Sequence, residues 1–317
     1  MKAIVFEKYG PPEVLKLKEV RKPVPKNNEV LIKIHATPVT SGDYRMRIPD
    51  PFFARFITGF IHPIKKILGV NLAGEVESVG KNVTKFKIGD KVYGSTGLAF
   101  GAYAEYKCLP ETAVISKMPS NSTYEEASAV IFGGGTALHF LEKGNIKQGQ
   151  KVLIYGASGA VGTAAVQLLK HYGAEVTGVC SSKNIEMVQS LGAGKVIDYT
   201  KEDFTKNKNY YDIIYDTVGK TSFLKSKDSL KENGVFISNN ASMNDYFQLI
   251  KTSIFGTKKI VAGVAAEKTE HLDILRDLIE SGDFKSQIDK VYSLEEMAEA
   301  HRYVEKGHKK GNVVVKI

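Results

Sequence analysis

The stretch Val152-Leu153-Ile154-Tyr155-Gly156-Ala157-Ser158-Gly159-Ala160-Val161-Gly162 carries the strongest structural signal in this sequence. Its opening apolar run suits a strand buried on both faces, and the apolar positions from Ala160 to His171 recur at helical spacing. A helix that opens directly after a turn of small residues presents backbone N–H groups and the positive end of its dipole, where a phosphate is stabilised. Gly159 allows close approach of a pyrophosphate, and Gly162 allows the helix to pack tightly on the strand. The spacing is Gly-x-x-Gly-x-x-Gly rather than Gly-x-Gly-x-x-Gly, because Ala157 stands at the first tight-turn position. In this strand–turn–helix setting the stretch reads as a dinucleotide-binding turn. The plainer reading is a glycine-rich helix start in a sheet that binds nothing.

Downstream the same texture repeats. Apolar runs at Glu175–Val179, Lys195–Ile197, Asp212–Tyr215 and Val235–Ser238 alternate with helical patterns, including Asn184–Leu191 and a polar helix reaching Lys231. Lys259–Val264 would be a sixth strand. This alternation predicts a doubly wound parallel sheet of the Rossmann type, an α/β fold. Upstream, Ala3–Phe6, Glu29–Ala36, Ala73–Val79 and Lys91–Tyr93 are short strands punctuated by Gly and Pro, which predicts a β-rich, partly barrel-like unit. The chain ends in helices at His271–Ser281 and Leu294–Glu305 and a strand, Asn312–Ile317, expected to return to the first unit. The expected division is residues 1–120, 121–262 and 263–317.

The length of 317 residues fits two domains, and the composition (43% hydrophobic, 25% charged) is that of a globular protein. A net charge of +9 suits an anionic partner such as a phosphorylated cofactor, nucleic acid or an acidic membrane, or serves solubility alone. Two cysteines, Cys108 and Cys180, exclude a disulfide scaffold and a cysteine-rich zinc lobe. The opening MKAIVFEKYG has no secretory h-region, and Arg55, His62, Lys65 and Lys66 interrupt the most apolar stretch, Phe52–Val70, so no membrane span is expected. A soluble protein of the cytoplasm is the expectation.

The second strand of a dinucleotide fold selects the cofactor. An NAD site places Asp or Glu at that strand's end to hold the ribose hydroxyls. Here the sequence is Val179-Cys180-Ser181-Ser182-Lys183-Asn184, with no acid before Glu186. Hydroxyls and an ammonium attract a 2′-phosphate, so NADPH is the expected cofactor. Lys183 would otherwise be a solvated lysine at a helix start.

These segments, together with Gly69-Val70-Asn71-Leu72-Ala73-Gly74-Glu75-Val76, Gly89-Asp90-Lys91-Val92-Tyr93-Gly94, Gly135-Thr136-Ala137, Tyr211-Asp212-Ile213-Ile214-Tyr215-Asp216-Thr217-Val218-Gly219 and Lys310-Gly311-Asn312-Val313-Val314, resemble the medium-chain dehydrogenase/reductase superfamily. The nearest branch is the zinc-free quinone oxidoreductases, the zeta-crystallin-like group, and the resemblance spans nearly the whole chain. It implies a GroES-like catalytic domain beside the Rossmann domain, with substrate in the cleft between them, and a homodimer. It also implies roles by position. Thr136 would touch the nicotinamide ribose or phosphate. Ser158, Gly159, Ala160 and Val161 would hold the pyrophosphate, and Ser181 and Lys183 the 2′-phosphate. Tyr199 would border the adenosine. Val218 and the loop Asn239, Asn240, Ala241 would flank the nicotinamide half, Gly311 and Asn312 would come near the nicotinamide, and Arg45 stands where relatives place a Lys or an aromatic against the cofactor.

Zinc-dependent members use a Cys and a Gly-His-Glu segment as ligands. The corresponding positions hold Thr40 and Gly69-Val70-Asn71, which are not a zinc set, and the seven histidines show no ligand spacing. Without a metal to polarise a ketone, the acceptor must be electrophilic by itself, as quinones and α,β-unsaturated carbonyls are. Catalysis then reduces largely to positioning and weak hydrogen bonds to the developing oxyanion, with Tyr44, Thr40 and Asn71 as donor candidates. Tyr44 would otherwise serve packing. The apolar residues of Phe52–Val70 recur at roughly helical spacing, which fits a lid over a hydrophobic small-molecule acceptor, an interfacial membrane helix or ordinary core. Two alternatives stand beside the oxidoreductase: an NADPH-binding protein with an RNA or other partner, although no RNA-module motif occurs, and an alcohol dehydrogenase-type activity.

Overall fold

The computed structural model describes residues 1–50, 52–240 and 242–317, without the side chains of Phe53, Ile254 and Phe255. The strands of the first stretch are β1 (Lys2–Val5), β2 (Lys16–Glu19), β3 (Glu29–Val39), β4 (Asn71–Val79), β5 (Lys91–Ser95), β6 (Tyr106–Pro110) and β7 (Ile115–Lys117). Its helices are α1 (Ser41–Arg47) and the single turn α2 (Arg55–Thr58). The next stretch contains α3 (Tyr124–Gly144), β8 (Lys151–Tyr155), α4 (Ala160–His171), β9 (Glu175–Cys180), α5 (Ile185–Ser190) and β10 (Lys195–Asp198). It continues through β11 (Tyr211–Asp216), α6 (Phe223–Ser226), β12 (Leu230–Ser238), α7 (Met243–Phe255) and β13 (Lys259–Ala262). Last come α8 (Thr269–Glu280), β14 (Ile288–Ser293), α9 (Met297–Glu305) and β15 (Asn312–Lys316).

Two units result: Met1–Phe132 with Glu267–Ile317, and Gly133–Ala266. The divisions expected at 120/121 and 262/263 therefore stand against observed ones at 132/133 and 266/267. The first shift has a packing cause: Ala129 of α3 is buried with Ala36 and Val314 of the first unit.

In the second unit six parallel strands run in the order β10-β9-β8-β11-β12-β13. Val152, Leu153 and Ile154 are all fully buried, as a strand covered on both faces requires. The strand order reverses beside β8, so the end of β8 is the topological switch point where such sheets bind ligands. In the first unit a sheet runs β14-β15-β3-β4-β5-β7, with β6 also on β3. The closing strand does return to this unit: β15 lies antiparallel to β3, Val313 opposite Val39, and parallel to β14. Among the described residues no helix is long and apolar enough to cross a membrane.

Two expected helices are corrected. The polar helix from Tyr215 to Lys231 shrinks to the single turn α6, because the Asp216 carboxylate gathers the amides of Val218, Gly219 and Thr221 into a loop and β12 already begins at Leu230. Phe52–Val70 forms only a tight turn at Phe52–Ala54 and α2, which ends at Gly59 with φ at 122°. A Cβ there would sit 2.1 Å from the His62 carbonyl, so the break is built into the backbone. Phe52, Phe56, Ile57, Phe60, Ile61 and Ile64 are exposed, which removes the core reading for them, while Leu68 is buried.

The first unit also buries charge. Arg47 is fully enclosed; its Nε donates to the Gly10 carbonyl at 3.0 Å and its guanidinium to Glu305 at 2.5 Å, tying α1 to α9. His301 of α9 is equally enclosed, with Nε2 3.2 Å from the Tyr103 hydroxyl. Burial first, and the Arg47 charge second, push the His301 imidazole down to about 3. A histidine so depressed binds its proton in the unfolded chain before the folded one, so stability is lost as pH falls below 6.5. The difference amounts to about 3 kcal/mol at an acidity two units below the free imidazole's pKa. We expect His301→Gln, which keeps a partner for Tyr103, to lose this acid lability. Measured by urea unfolding at pH 7.5 and pH 4.5, the stability of the variant relative to the parent should rise on acidification by a few kcal/mol. An unchanged difference would refute the assignment.

Candidate active site

The turn after β8 is held from two sides. Thr217 donates its hydroxyl to the carbonyls of Tyr155 at 2.9 Å and Gly156 at 3.2 Å, and its amide to Tyr155 at 3.0 Å. Gly156 has φ at 86°, and a Cβ on it would meet Val218 at 2.6 Å. Gly162 is equally constrained, since its Cβ would fall 2.1 Å from the Gly156 carbonyl; the close packing is against the turn itself. Gly159 differs: an added Cβ would meet only the Gly156 carbonyl, at 3.6 Å. The fold therefore does not require glycine there, and the open space fits a ligand that approaches the backbone. Gly159 caps α4 without a side-chain hydrogen bond, so the helix's first amides are not satisfied by their cap residue. These features fit a pyrophosphate.

Thr136 is buried on α3 one turn beyond Gly133, whose Cβ would lie 2.4 Å from the Ala160 carbonyl. The same helix face thus lies against the start of α4. Ser158 accepts a hydrogen bond from Asn184 at 3.1 Å, and Ser181 from the same amide group at 3.4 Å. Asn184, which sequence reasoning missed, joins the glycine turn to the end of β9, and its buried Oδ1 has no partner among the described residues. Ser181 is half-buried, and Lys183 and Tyr199 are exposed. A second missed residue is Asp198, which β10 brings opposite Cys180. It accepts from the Ser182 hydroxyl and from the Thr200 amide and hydroxyl at 3.0 and 2.7 Å. The Ser182 hydrogen bond above all, with those of Thr200, holds its carboxyl below the usual range.

On the other side of β8, Val218 is exposed on the loop folded by Asp216. Burial raises the Asp216 carboxyl, against the pull of the loop amides. The Asn240 side chain reaches the Val218 carbonyl at 3.5 Å, and Asn239 Oδ1 is buried without a partner among the described residues. Ala241 lies outside the described residues.

In the first unit the sheet register gathers the remaining candidates. The Thr37 hydroxyl donates to the Asn71 carbonyl at 2.7 Å, and β3 and β15 are in register up to Val39 and Val313. Thr40, Asn71, Gly311 and Asn312 therefore share one end of the sheet. Asn71 is buried and its Oδ1 has no partner among the described residues. The Asn312 side chain is spent on the Gln287 carbonyl at 3.1 Å. Tyr44 and Arg45 are half-buried on α1, with Tyr44 against the apolar core. Among the described residues no group of three or more His, Cys, Asp or Glu gathers to hold a metal.

Asp43 was also missed, although Thr40-x-x-Asp43 has the form of a helix-capping box. Its Oδ2 accepts the Thr40 amide at 2.8 Å and hydroxyl at 2.6 Å, and its own amide donates to Thr40 Oγ1 at 3.3 Å. Burial pushes its carboxyl up to about 6, against those hydrogen bonds and the nearby Tyr103 hydroxyl and Gly69 amide. Opposite Asn71 on β5, Ser95 donates to Glu267 at 2.8 Å, and burial raises that carboxyl too.

The two glycines of the turn separate fold from binding. Gly162→Ala should cost about 2–3 kcal/mol of stability by overpacking. Gly159→Ala should leave the melting temperature within a degree or two and weaken dinucleotide binding about tenfold or more, read by fluorescence titration. Equal effects of both substitutions would contradict this division.

The sequence matches the family described as alcohol dehydrogenase GroES-like domain over residues 26–120 and that described as zinc-binding dehydrogenase over residues 191–315. It is 34% identical to 2-methylene-furan-3-one reductase of Solanum lycopersicum over 99% of this chain and 79% of that protein. It is 30% identical to quinone oxidoreductase of Pseudomonas aeruginosa over 95% and 94% of the two chains. Among solved structures, the quinone oxidoreductase from Coxiella burnetii superposes with a TM-score of 0.90 at 32% identity, covering 100% of this chain and 99% of that one. The Escherichia coli quinone oxidoreductase complexed with NADPH gives 0.85 at 25% identity, covering 100% of both. With this breadth of match and Thr40, Val70 and Asn71 standing at the zinc-ligand positions, the chain is an oxidoreductase that belongs to the medium-chain dehydrogenase/reductase superfamily, in its zinc-free quinone oxidoreductase branch.

Proposed function

We propose that this protein passes a hydride from NADPH to a quinone or an α,β-unsaturated carbonyl without help from a metal ion. The observation that carries the reading is the pairing of an open, uncapped glycine turn in one unit with polar but non-ligating side chains, Thr40 and Asn71, at the zinc positions of the other. Names of relatives support it: one is an NADPH-dependent alkenal/one oxidoreductase of Arabidopsis thaliana, 31% identical. When bound, the reduced nicotinamide supplies the hydride; the protein supplies grip, orientation and hydrogen bonds.

In this reading Ser158, Gly159, Ala160 and Val161 hold the pyrophosphate through backbone amides, with Thr136 on the ribose or phosphate beside them. Ser181 and Lys183 take the 2′-phosphate and Tyr199 borders the adenosine. Asp198 stays ionised nearby, and the Lys201 ammonium 3.9 Å from it offsets its charge. Val218, Asn239, Asn240, Gly311 and Asn312 flank the nicotinamide half, and Arg45 lies against the cofactor. Thr40, Tyr44 and Asn71 face the acceptor oxygen as weak donors, sufficient because conjugation spreads the arriving charge. The exposed apolar side chains between Phe52 and Ile64 support a lid and a bulky, hydrophobic acceptor. We read the working form as a cytoplasmic homodimer.

The test is NADPH oxidation against quinones, 2-alkenals, enones and saturated ketones. We expect kcat/KM for the conjugated acceptors to exceed that for saturated ketones by roughly a hundredfold or more, and EDTA to leave the rate unchanged. Lys183→Ala should raise KM for NADPH about tenfold while sparing NADH. Ketone turnover lost to chelation, or better kcat/KM with NADH, would overturn the reading.

A further inference from the structure

Asp43 has no exposed surface, whereas Thr40 keeps 7% of its own. Oδ2 of Asp43 takes both the amide and the hydroxyl of Thr40. Oδ1 is buried without a hydrogen-bond partner among the described residues, and the Tyr103 hydroxyl and Gly69 amide lie near the carboxyl. A proton on this carboxyl therefore has its shortest way out through the Thr40 hydroxyl. That hydroxyl carries a single proton. While Asp43 is ionised, the proton is committed to Oδ2, and Thr40 offers only a lone pair to its surroundings. Once Asp43 is protonated, it donates to Thr40 Oγ1 and releases the Thr40 proton toward an outside oxygen.

We propose that Thr40 and Asp43 act as one unit at the acceptor oxygen, Thr40 as the hydrogen-bond donor and proton carrier and Asp43 as the enclosed positioning residue that stores the proton behind it. This rests on the reductase reading above. After an acceptor has gained a hydride, both electrons of the reduction are on it and its oxygen is negative. The Thr40 O–H bond breaks toward that oxygen as the Asp43 O–H bond breaks toward Thr40 Oγ1. The product is a neutral enol or hydroquinone and an ionised Asp43, and a proton from water restores the acid.

The surroundings leave Asp43 as the group that changes charge. Arg47, from the same helix, is matched by Glu305 of α9. His301 of α9 is held neutral, and burial holds the Tyr103 hydroxyl protonated. Glu13, in the turn Pro12–Val14, is kept ionised by Arg302.

The experiment combines a titration with a pH–rate profile. In the full-length protein, carbon NMR of labelled aspartate should show Asp43 titrating near pH 6, as its burial requires. With a saturating enone, kcat should fall about tenfold for each pH unit above that midpoint. Asp43→Asn should flatten the profile. Thr40→Val should flatten it and lower kcat about tenfold at the acid plateau, with Thr40→Ser restoring both. Unchanged NADPH fluorescence titrations would show the variants folded, and the Thr40 pair keeps the test sound if Asp43→Asn does not fold. A parental falling limb persisting in folded Thr40→Val and Asp43→Asn, or an Asp43 carboxyl titrating at its ordinary value, would overturn the proposal and leave the reductase reading standing. A parent that turns over no conjugated acceptor would sink both.

Discussion

The first amides of α4 have no partner inside the helix, and their cap, Gly159, has no side chain to offer them. The second unit's functional features follow from that constraint. Gly156 and Gly162 are small because the turn's own packing demands it, Gly159 leaves the amides uncovered, and the turn stays in place because Thr217, in the loop after β11, bonds to its carbonyls. N–H groups gathered in this way at the positive end of a helix favour an anion that meets them. The parallel sheet puts that demand at the point where the strand order reverses, so the same feature that leaves a local deficit also opens the crevice to fill it.

The first unit handles polarity differently. Asp43 in the first unit and Asp216 in the second are both fully enclosed, and their environments diverge. Asp216 receives amides from Val218, Gly219 and Thr221 and spends its charge on shaping a loop. Asp43 takes the capping contacts of Thr40 on one oxygen, and the other has no hydrogen-bond partner among the described residues. A carboxylate with few donors in an apolar setting is the one whose charge is easiest to remove. That contrast, rather than the identity of the residue, separates a structural acid from one able to exchange a proton.

Much of this was legible in the sequence. Val152–Gly162 announced its strand, turn and helix because each used local rules that nothing overrode. Short-range patterns failed where distant residues intervened. The role of the glycines at 133–135 is one such case: α3 runs through them, and Gly133 lets the start of α4 approach. Phe52–Val70 looked helical by spacing, but Gly59 stops it after one turn. The contacts of Asn184 and Asp198 depend on the pairing of neighbouring strands and could not be read from spacing. Thr40 and Asp43 were within reach, since three residues separate them, but their enclosure was visible only in three dimensions.

The insertion of β15 between β3 and β14 also shapes how the chain must be born. The second unit is one uninterrupted segment and can reach its final form while synthesis continues. The first cannot: β3 keeps an open edge at Ala36–Val39 until β15 has left the ribosome. Throughout that interval an apolar strand edge waits in the open, and the nascent polypeptide depends on chaperone shelter or on speed to keep it from pairing with a stranger.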